Sequence, residues 1–310
     1  MKFWIGVTNN NWFDFLSQRQ PDEVNFWQPG GTTFKALQPG ELFLFKLHSP
    51  LNYIVGGGYF VRHSTLPISL VWNAFGEKNG AEDFQSFRAR IIMLRRQINK
   101  DEIDPMIGCN ILANPFFFKK EDWIPVSTEW WSPNIVQGKT FGTDNSIGLS
   151  VWAEVQQRIA RTSERKLDVT ENVSEETPLY GSEYLISARL GQGAFRVLVT
   201  DTYNRRCSIT GERTLPVLDA AHIKPYSESG PHKIDNGLLL RTDLHKLFDL
   251  GYMTITPEFR VEVSRRIKEE FENGREYYAL QGNQLILPAN QIYRPSREYI
   301  EWHNQVKYKT

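Results

Sequence analysis

One stretch constrains this chain more than any other: VLDAAHIKPYSESGPHKIDNGLLLRTDLHKLFD, residues 217–249. It reads as a strand ending at His222, a polar loop, a short returning strand or turn, and a helix closed by Gly251. His222 therefore sits at a strand end, Asn236 lies 14 residues on in the returning loop, and His245 lies nine further on, on the helix. Two imidazoles and an amide in that order predict a compact site carried by two strands and a helix.

This arrangement resembles the HNH, or ββα-metal, nuclease family. The preceding RLGQGAFR and the CSITG pair look like the lead-in of one of its branches, so the resemblance spans roughly residues 188–265. CSITGERTLPVLDAAHI reads as two short β segments joined by a turn at Gly211 to Thr214. The resemblance implies that His222 is a general base, since a neutral imidazole takes a water proton near pH 7. It implies that Asn236 braces the loop and orients that base, and that His245 binds a divalent metal, Mg²⁺ with Mn²⁺ as the alternative. Such a cation bridges the phosphate and leaving oxygen as Lewis acid and template. Many HNH proteins carry Asp or His just before the base; here that position is Ala221. Asp219, two residues earlier on the same side of a strand, is the expected replacement ligand, with Asp243 a weaker one. The alternative for Asp219 is a local cap or hydrogen bond. Arg189, Gln192, Arg196 and His232 are candidate phosphate contacts, the first three at a glycine-flanked helix start.

The first 145 residues read differently. PGELFLFKLHS is an alternating run entered by a turn, YIVGGGYFVRHS is a strand pair or bulged strand, and AEDFQSFRARI reads as a helix. FWIGVT, NFWQPGGTTFKALQPGELFLFKL and YIVGGGYFV together resemble PUA-like domains, most closely the EVE branch. That resemblance implies a pocket in which a modified base, flipped out of the duplex, stacks between aromatic rings. Trp27, Phe34 and Trp12 are the cage candidates because they sit in polar, Gly/Pro/Asn-rich contexts; core packing is the alternative for each. Asn25, Thr32, Thr33 and Ser64 are candidates for reading the base edge. Arg88, Arg90, Arg95 and Arg96 either hold phosphates or form a solvated helix face.

The expected fold is α+β: a PUA-like (EVE), β-barrel-like domain over 1–145, a helix and linker over 146–180, and an HNH ββα-metal nuclease domain over 181–310. Joined, the two resemblances imply a modification-dependent endonuclease acting on double-stranded DNA with 5-methylcytosine or 5-hydroxymethylcytosine. Double-strand cuts need two such sites, which implies a homodimer. Two alternatives remain: a non-catalytic reader of modified nucleic acid, and an HNH nuclease whose first domain binds another partner. Charge does not decide among them, because 36 basic residues balance 36 acidic ones. Two distant cysteines, Cys109 and Cys207, can build neither a disulfide framework nor a Cys-only zinc site. A cytoplasmic protein is expected, with no secretion signal at its start and no membrane span.

Overall fold

The computed structural model describes residues 1–95, 102–167, 184–185 and 190–310. They form an α+β protein of two compact units, Met1–Ser187 and Ala188–Thr310. Among the described residues, no helix is long and apolar enough to cross a membrane.

The first unit is built on one mixed sheet. Its strands are β1 (Lys2–Thr8), β2 (Glu23–Gln28), β3 (Leu42–Leu47), β4 (Tyr53–Pro67), β5 (Met106–Phe117), β6 (Ile124–Pro125) and β7 (Gly138–Gly142). The order is β2-β5-β4-β3-β1-β7, with β6 paired to β4. β1 runs parallel to β3 and antiparallel to β7. The Leu/Phe alternation of β3 sorts its side chains into two cores. Phe43, Phe45 and Leu47 pack with Trp12, Phe13 and Leu16 of α1 (Asn10–Arg19). Leu42 and Leu44 pack with Phe3, Phe141, and Val151 and Val155 of a long helix, Ser146–Leu167. β3 is thus buried along its whole length, and each such side chain contributes about 1.5–3 kcal/mol of burial.

The glycine triplet makes β4 one continuous bulged strand rather than a pair. Its register shifts between Gly57 and Tyr59 and between Phe60 and Arg62. A Cβ on Gly56 would lie 2.2 Å from Phe116 O, and one on Gly57 2.7 Å from Phe43 O. Only glycine lets the three central backbones approach this closely. α2 (Ile68–Phe75) and α3 (Phe84–Leu94) follow β4. The long helix, α4, continues to Leu167 through polar TSERKL, further than the expected linker start. The remainder of that linker lies outside the described residues.

The second unit opens with α5 (Gln192–Thr202), which buries Phe195, Leu198 and Val199. CSITG is not a strand. Cys207 and Gly211 close a turn (Gly211 N to Cys207 O, 2.9 Å), and Ser208 N donates to Leu239 O at 2.7 Å. The hairpin instead pairs β8 (Leu218–His222) with β9 (Gly237–Arg241), with His222 opposite Gly237. α6 (Thr242–Asp249) starts directly after β9. A second hairpin, β10 (Met253–Ile255) with β11 (Val261–Val263), and a last helix, Arg297–Val306, complete a core that includes Phe195, Ala221, Leu238, Leu244 and Phe248. Neither cysteine forms a disulfide, and both are buried.

Candidate functional site

Strand β8 ends at His222, and the ring is held from two sides. Phe195 of α5 stacks on it at 3.9 Å between centroids and 13° between planes. Its Nε2 lies 2.9 Å from His232 Nδ1. Burial, with the nearby His232 and His245 rings disfavouring an added positive charge, lowers the His222 imidazole to about 4, so the ring is neutral at physiological pH.

The loop between β8 and β9 is clamped by Asn236, which is fully buried. Its Oδ1 accepts from Lys224 N, and its Nδ2 donates to the carbonyls of Lys224 and Pro231, each at 2.9 Å. These bonds fix the residue immediately before His232. The His232 ring itself stacks on Tyr226 at 4.7 Å and 7°.

Asp219 and His245 come together across the strand and helix, Oδ2 to Nδ1 at 3.6 Å. The hydrogen-bonding His245 ring, against the opposing effect of burial and aided by the Arg196 charge, holds the Asp219 carboxyl below its ordinary value. The other His245 nitrogen, Nε2, faces Asp249 Oδ2 at 3.3 Å. A carboxylate behind one imidazole nitrogen leaves the other nitrogen's lone pair pointing forward, the usual arrangement around a metal-bound histidine. These side chains line an open cavity of about 590 Å³ with Thr242, Asp243 and Lys246. Asp243 is engaged elsewhere, accepting from Arg241 Nε and Nη2 at 2.9 and 2.6 Å.

Among the described residues, no cluster of three or more His, Cys, Asp or Glu side chains stands ready to hold a metal. The pair Asp219 and His245 still fits a divalent ion. A gap of 3.6 Å suits two atoms sharing one cation at about 2 Å each. An ion held by two protein ligands completes its shell with water and phosphate, the habit of Mg²⁺.

The expected phosphate contacts divide. Arg196 faces Asp219 at 3.5 Å, and His232 faces His222. Gln192 is exposed at the first position of α5. Arg189 lies outside the described residues, as does Arg96. Of the other basic side chains, Arg90 donates to Gly80 O and Arg95 pairs with Glu102.

In the first unit, a cavity of about 350 Å³ is lined by Thr8, Asn9, Trp12, Phe26, Trp27, Gln28, Thr32, His48 and Gln137, among others. Trp27 and Trp12, two of the expected cage residues, lie in its wall. Trp27 Nε1 donates to Asn79 O at 2.9 Å, and its ring meets Phe87 edge-on. Phe34 is not in the wall. It packs into the core against Trp4 and Phe60, at 5.2 and 5.4 Å. Asn25 faces away as well, fully buried, with Nδ2 donating to Asn79 Oδ1 at 2.8 Å. Ser64 is buried on β4 opposite Cys109, and Thr33 is exposed outside the lining. Thr32 alone of the proposed polar readers lines the cavity. Sequence reasoning missed Phe26, Gln28, His48 and Gln137, which tertiary packing gathers from three distant segments. It also missed Asp249, whose signal was present as the i, i+4 spacing from His245 on a helix.

A family model described as HNH endonuclease matches residues 207–256. No curated protein matches the chain. Among solved structures, an ASCH protein from Zymomonas mobilis is similar at 10% identity, covering 48% of this chain and 94% of that one, with a TM-score of 0.35. A modification-dependent restriction endonuclease, TagI, is similar at 13% identity, covering 92% of this chain and 75% of that one, with a TM-score of 0.26. The type IV phosphorothioation-dependent restriction endonuclease ScoMcrA is similar at 10% identity over 78% of this chain and 45% of that one, with a TM-score of 0.19. Likenesses this distant carry no argument about mechanism or substrate.

Proposed function

We propose that this chain, a nuclease by the HNH endonuclease domain at residues 207–256, cuts double-stranded DNA that carries 5-methylcytosine or 5-hydroxymethylcytosine. The observation that carries the catalytic half is the Asp219–His245 pair at 3.6 Å, with Asp249 behind the His245 ring.

In this reading His222 Nδ1 takes a proton from a water molecule. The water oxygen forms its bond to phosphorus as the bond to the leaving oxygen breaks, and solvent returns a proton to that oxygen. HNH nucleases use a divalent metal; Asp219 and His245 would hold it here, and when bound it supplies charge relief at the phosphate and leaving oxygen. Mg²⁺ is the proposed ion, with Mn²⁺ able to replace it. The His245 ring, aided by the Arg196 charge, favours the ionised Asp219 carboxylate. Gln192, at the first position of α5, would contact phosphate, and Arg189 is proposed for the same role.

The 350 Å³ cavity supports the reader half. Its size is that of a small-ligand pocket, and Trp12, Phe26 and Trp27 offer aromatic surface for one flipped base. Unstacking a base costs a few kcal/mol, which ring contacts and edge hydrogen bonds must return. Thr8, Asn9, Gln28, Thr32, His48 and Gln137 are polar residues within the wall. Trp12 adds a buried indole N–H that has no hydrogen-bond partner among the described residues. Requiring base capture before cleavage restrains a nuclease that reads little sequence itself. Cutting both strands extends the reading to a pair of chains.

The test is cleavage, with Mg²⁺ and with Mn²⁺, of matched duplexes containing cytosine, 5-methylcytosine, 5-hydroxymethylcytosine or glucosylated 5-hydroxymethylcytosine. Cutting confined to modified duplexes is expected. Equal cutting of plain and modified duplexes would reject the reader, and binding without cutting under either metal would reject the catalytic assignment.

A further inference from the structure

We propose that His232 is the positioning residue for the His222 base: its Nδ1 accepts the His222 Nε2 proton and so frees His222 Nδ1 to act on water. The inference rests on the reading of His222 as that base. Its own observation is the 2.9 Å separation of His222 Nε2 and His232 Nδ1.

Two neutral imidazoles joined nitrogen to nitrogen share one proton between them, so one donates and the other accepts. If His232 donated, the single His222 proton would sit on Nδ1, and neither His222 nitrogen could take another from water without breaking the pair. If His222 donates, its Nδ1 keeps a lone pair. When that lone pair removes the water proton, His222 becomes an imidazolium. Its Nε2–H then points at the Nδ1 of His232, which bears a full lone pair and no charge. The same contact that selects the tautomer thus stabilises the cation formed in the reaction, the part a carboxylate takes in hydrolase triads. No proton need pass to His232 for this to work.

The surroundings fix both rings. Phe195 stacks on His222 and Tyr226 on His232, with interplanar angles of 13° and 7°. Asn236 Nδ2 holds Pro231 O at 2.9 Å, one residue before His232. The loop is therefore built to deliver an acceptor to Nε2, and a histidine first read as a phosphate contact has its Nδ1 committed to the base instead.

The experiment compares His232→Leu, His232→Asn, His232→Arg and His222→Ala in the full chain, by steady-state cleavage of a 5-methylcytosine duplex and its unmodified counterpart with Mn²⁺. His232→Leu is expected to lower kcat roughly 10–100-fold, the effect of removing an outer partner of a reacting imidazole, with KM little changed. His232→Asn, whose Oδ1 can occupy the Nδ1 position and accept the same proton, is expected to restore most of kcat. The proposal fails if His232→Leu raises KM at unchanged kcat, or if His232→Arg rescues while His232→Asn does not, since both outcomes mark a phosphate contact. It fails also if the Asn and Leu variants lose kcat equally. His222→Ala separates the two levels: full kcat there overturns the assignment of the base itself, whereas an inactive His222→Ala beside a fully active His232→Leu overturns only the role of His232.

Discussion

Asn236 offers a prediction whose size can be worked from the structure. Three hydrogen bonds, all 2.9 Å, tie its side chain to Lys224 N, Lys224 O and Pro231 O. Each is worth about 1 kcal/mol net, and a buried group left unpaired adds more. Asn236→Ala should therefore destabilise the second unit by roughly 3–5 kcal/mol. For a unit of this size that corresponds to a fall in Tm of about 10 °C or more. The isosteric Asn236→Asp is the sharper test. It keeps an acceptor for Lys224 N but turns a donor into a charged oxygen facing two carbonyls. An unpaired buried carboxylate costs about 3–5 kcal/mol, so Asp should be no better than Ala despite matching shape. Both variants should also lose cleavage, because the loop they release carries His232. Thermal unfolding with cleavage assays on both variants decides the matter. An Asp variant with the parent Tm and parent activity would refute the claim that the amide nitrogen clamps this loop.

Asp249→Ala should raise the Mn²⁺ concentration for half-maximal cleavage about 10–100-fold, as expected for the partner behind a metal-bound histidine; a metal titration with an unshifted midpoint would refute that role. Trp27→Ala should weaken binding of the modified duplex by about 1–3 kcal/mol, the worth of one base–aromatic stack, while binding of the plain duplex stays the same; equal losses on both would remove Trp27 from the reader. His303 predicts a pH dependence of stability. Its Nε2 donates to Phe248 O, its Nδ1 meets Thr254 Oγ1, and burial lowers it to about 4. Since the unfolded ring titrates near 6.5, the unfolded chain binds more protons between these values. The stability this ring contributes is therefore complete above about pH 6.5 and is lost as pH falls towards 4, by up to roughly 3 kcal/mol. His222, lowered in the same direction, adds to the slope. Tm measured across that window should fall with acidity, and His303→Gln should flatten the curve; a flat profile in the parent protein would contradict the assignment.

The nuclease core was legible because its chemistry is written in local order. His222 and His245 sit on adjacent elements whose β–loop–β–α sequence leaves little freedom, and Asp219 could be nominated from the two-residue period of a strand. Asn236 was nominated only through the resemblance to HNH nucleases, by its place between the two histidines. The His222–His232 contact was not legible: nothing in a polar loop says which way an imidazole turns until Asn236 has fixed its backbone. CSITG misled because its β-branched residues promise a strand, while Gly211 and the Cys207 turn divert the backbone and leave β9 to pair with β8. The first unit's pocket was only half legible. Strand residues with aromatic rings look alike in sequence whether they face a cavity or a core. Phe26 on β2, given no role from sequence, reaches the cavity wall, whereas Phe34, nominated for its polar surroundings, lies in the β2–β3 loop and packs between Trp4 and Phe60.

The most direct test of the central claim is anomalous diffraction from crystals of the protein soaked in Mn²⁺. A single peak bridging the Asp219 carboxylate and His245 Nδ1, within reach of a water beside His222, is the predicted result. Mn²⁺ bound elsewhere on the second unit, with Asp219 and His245 still in direct contact and no ion between them, would contradict it.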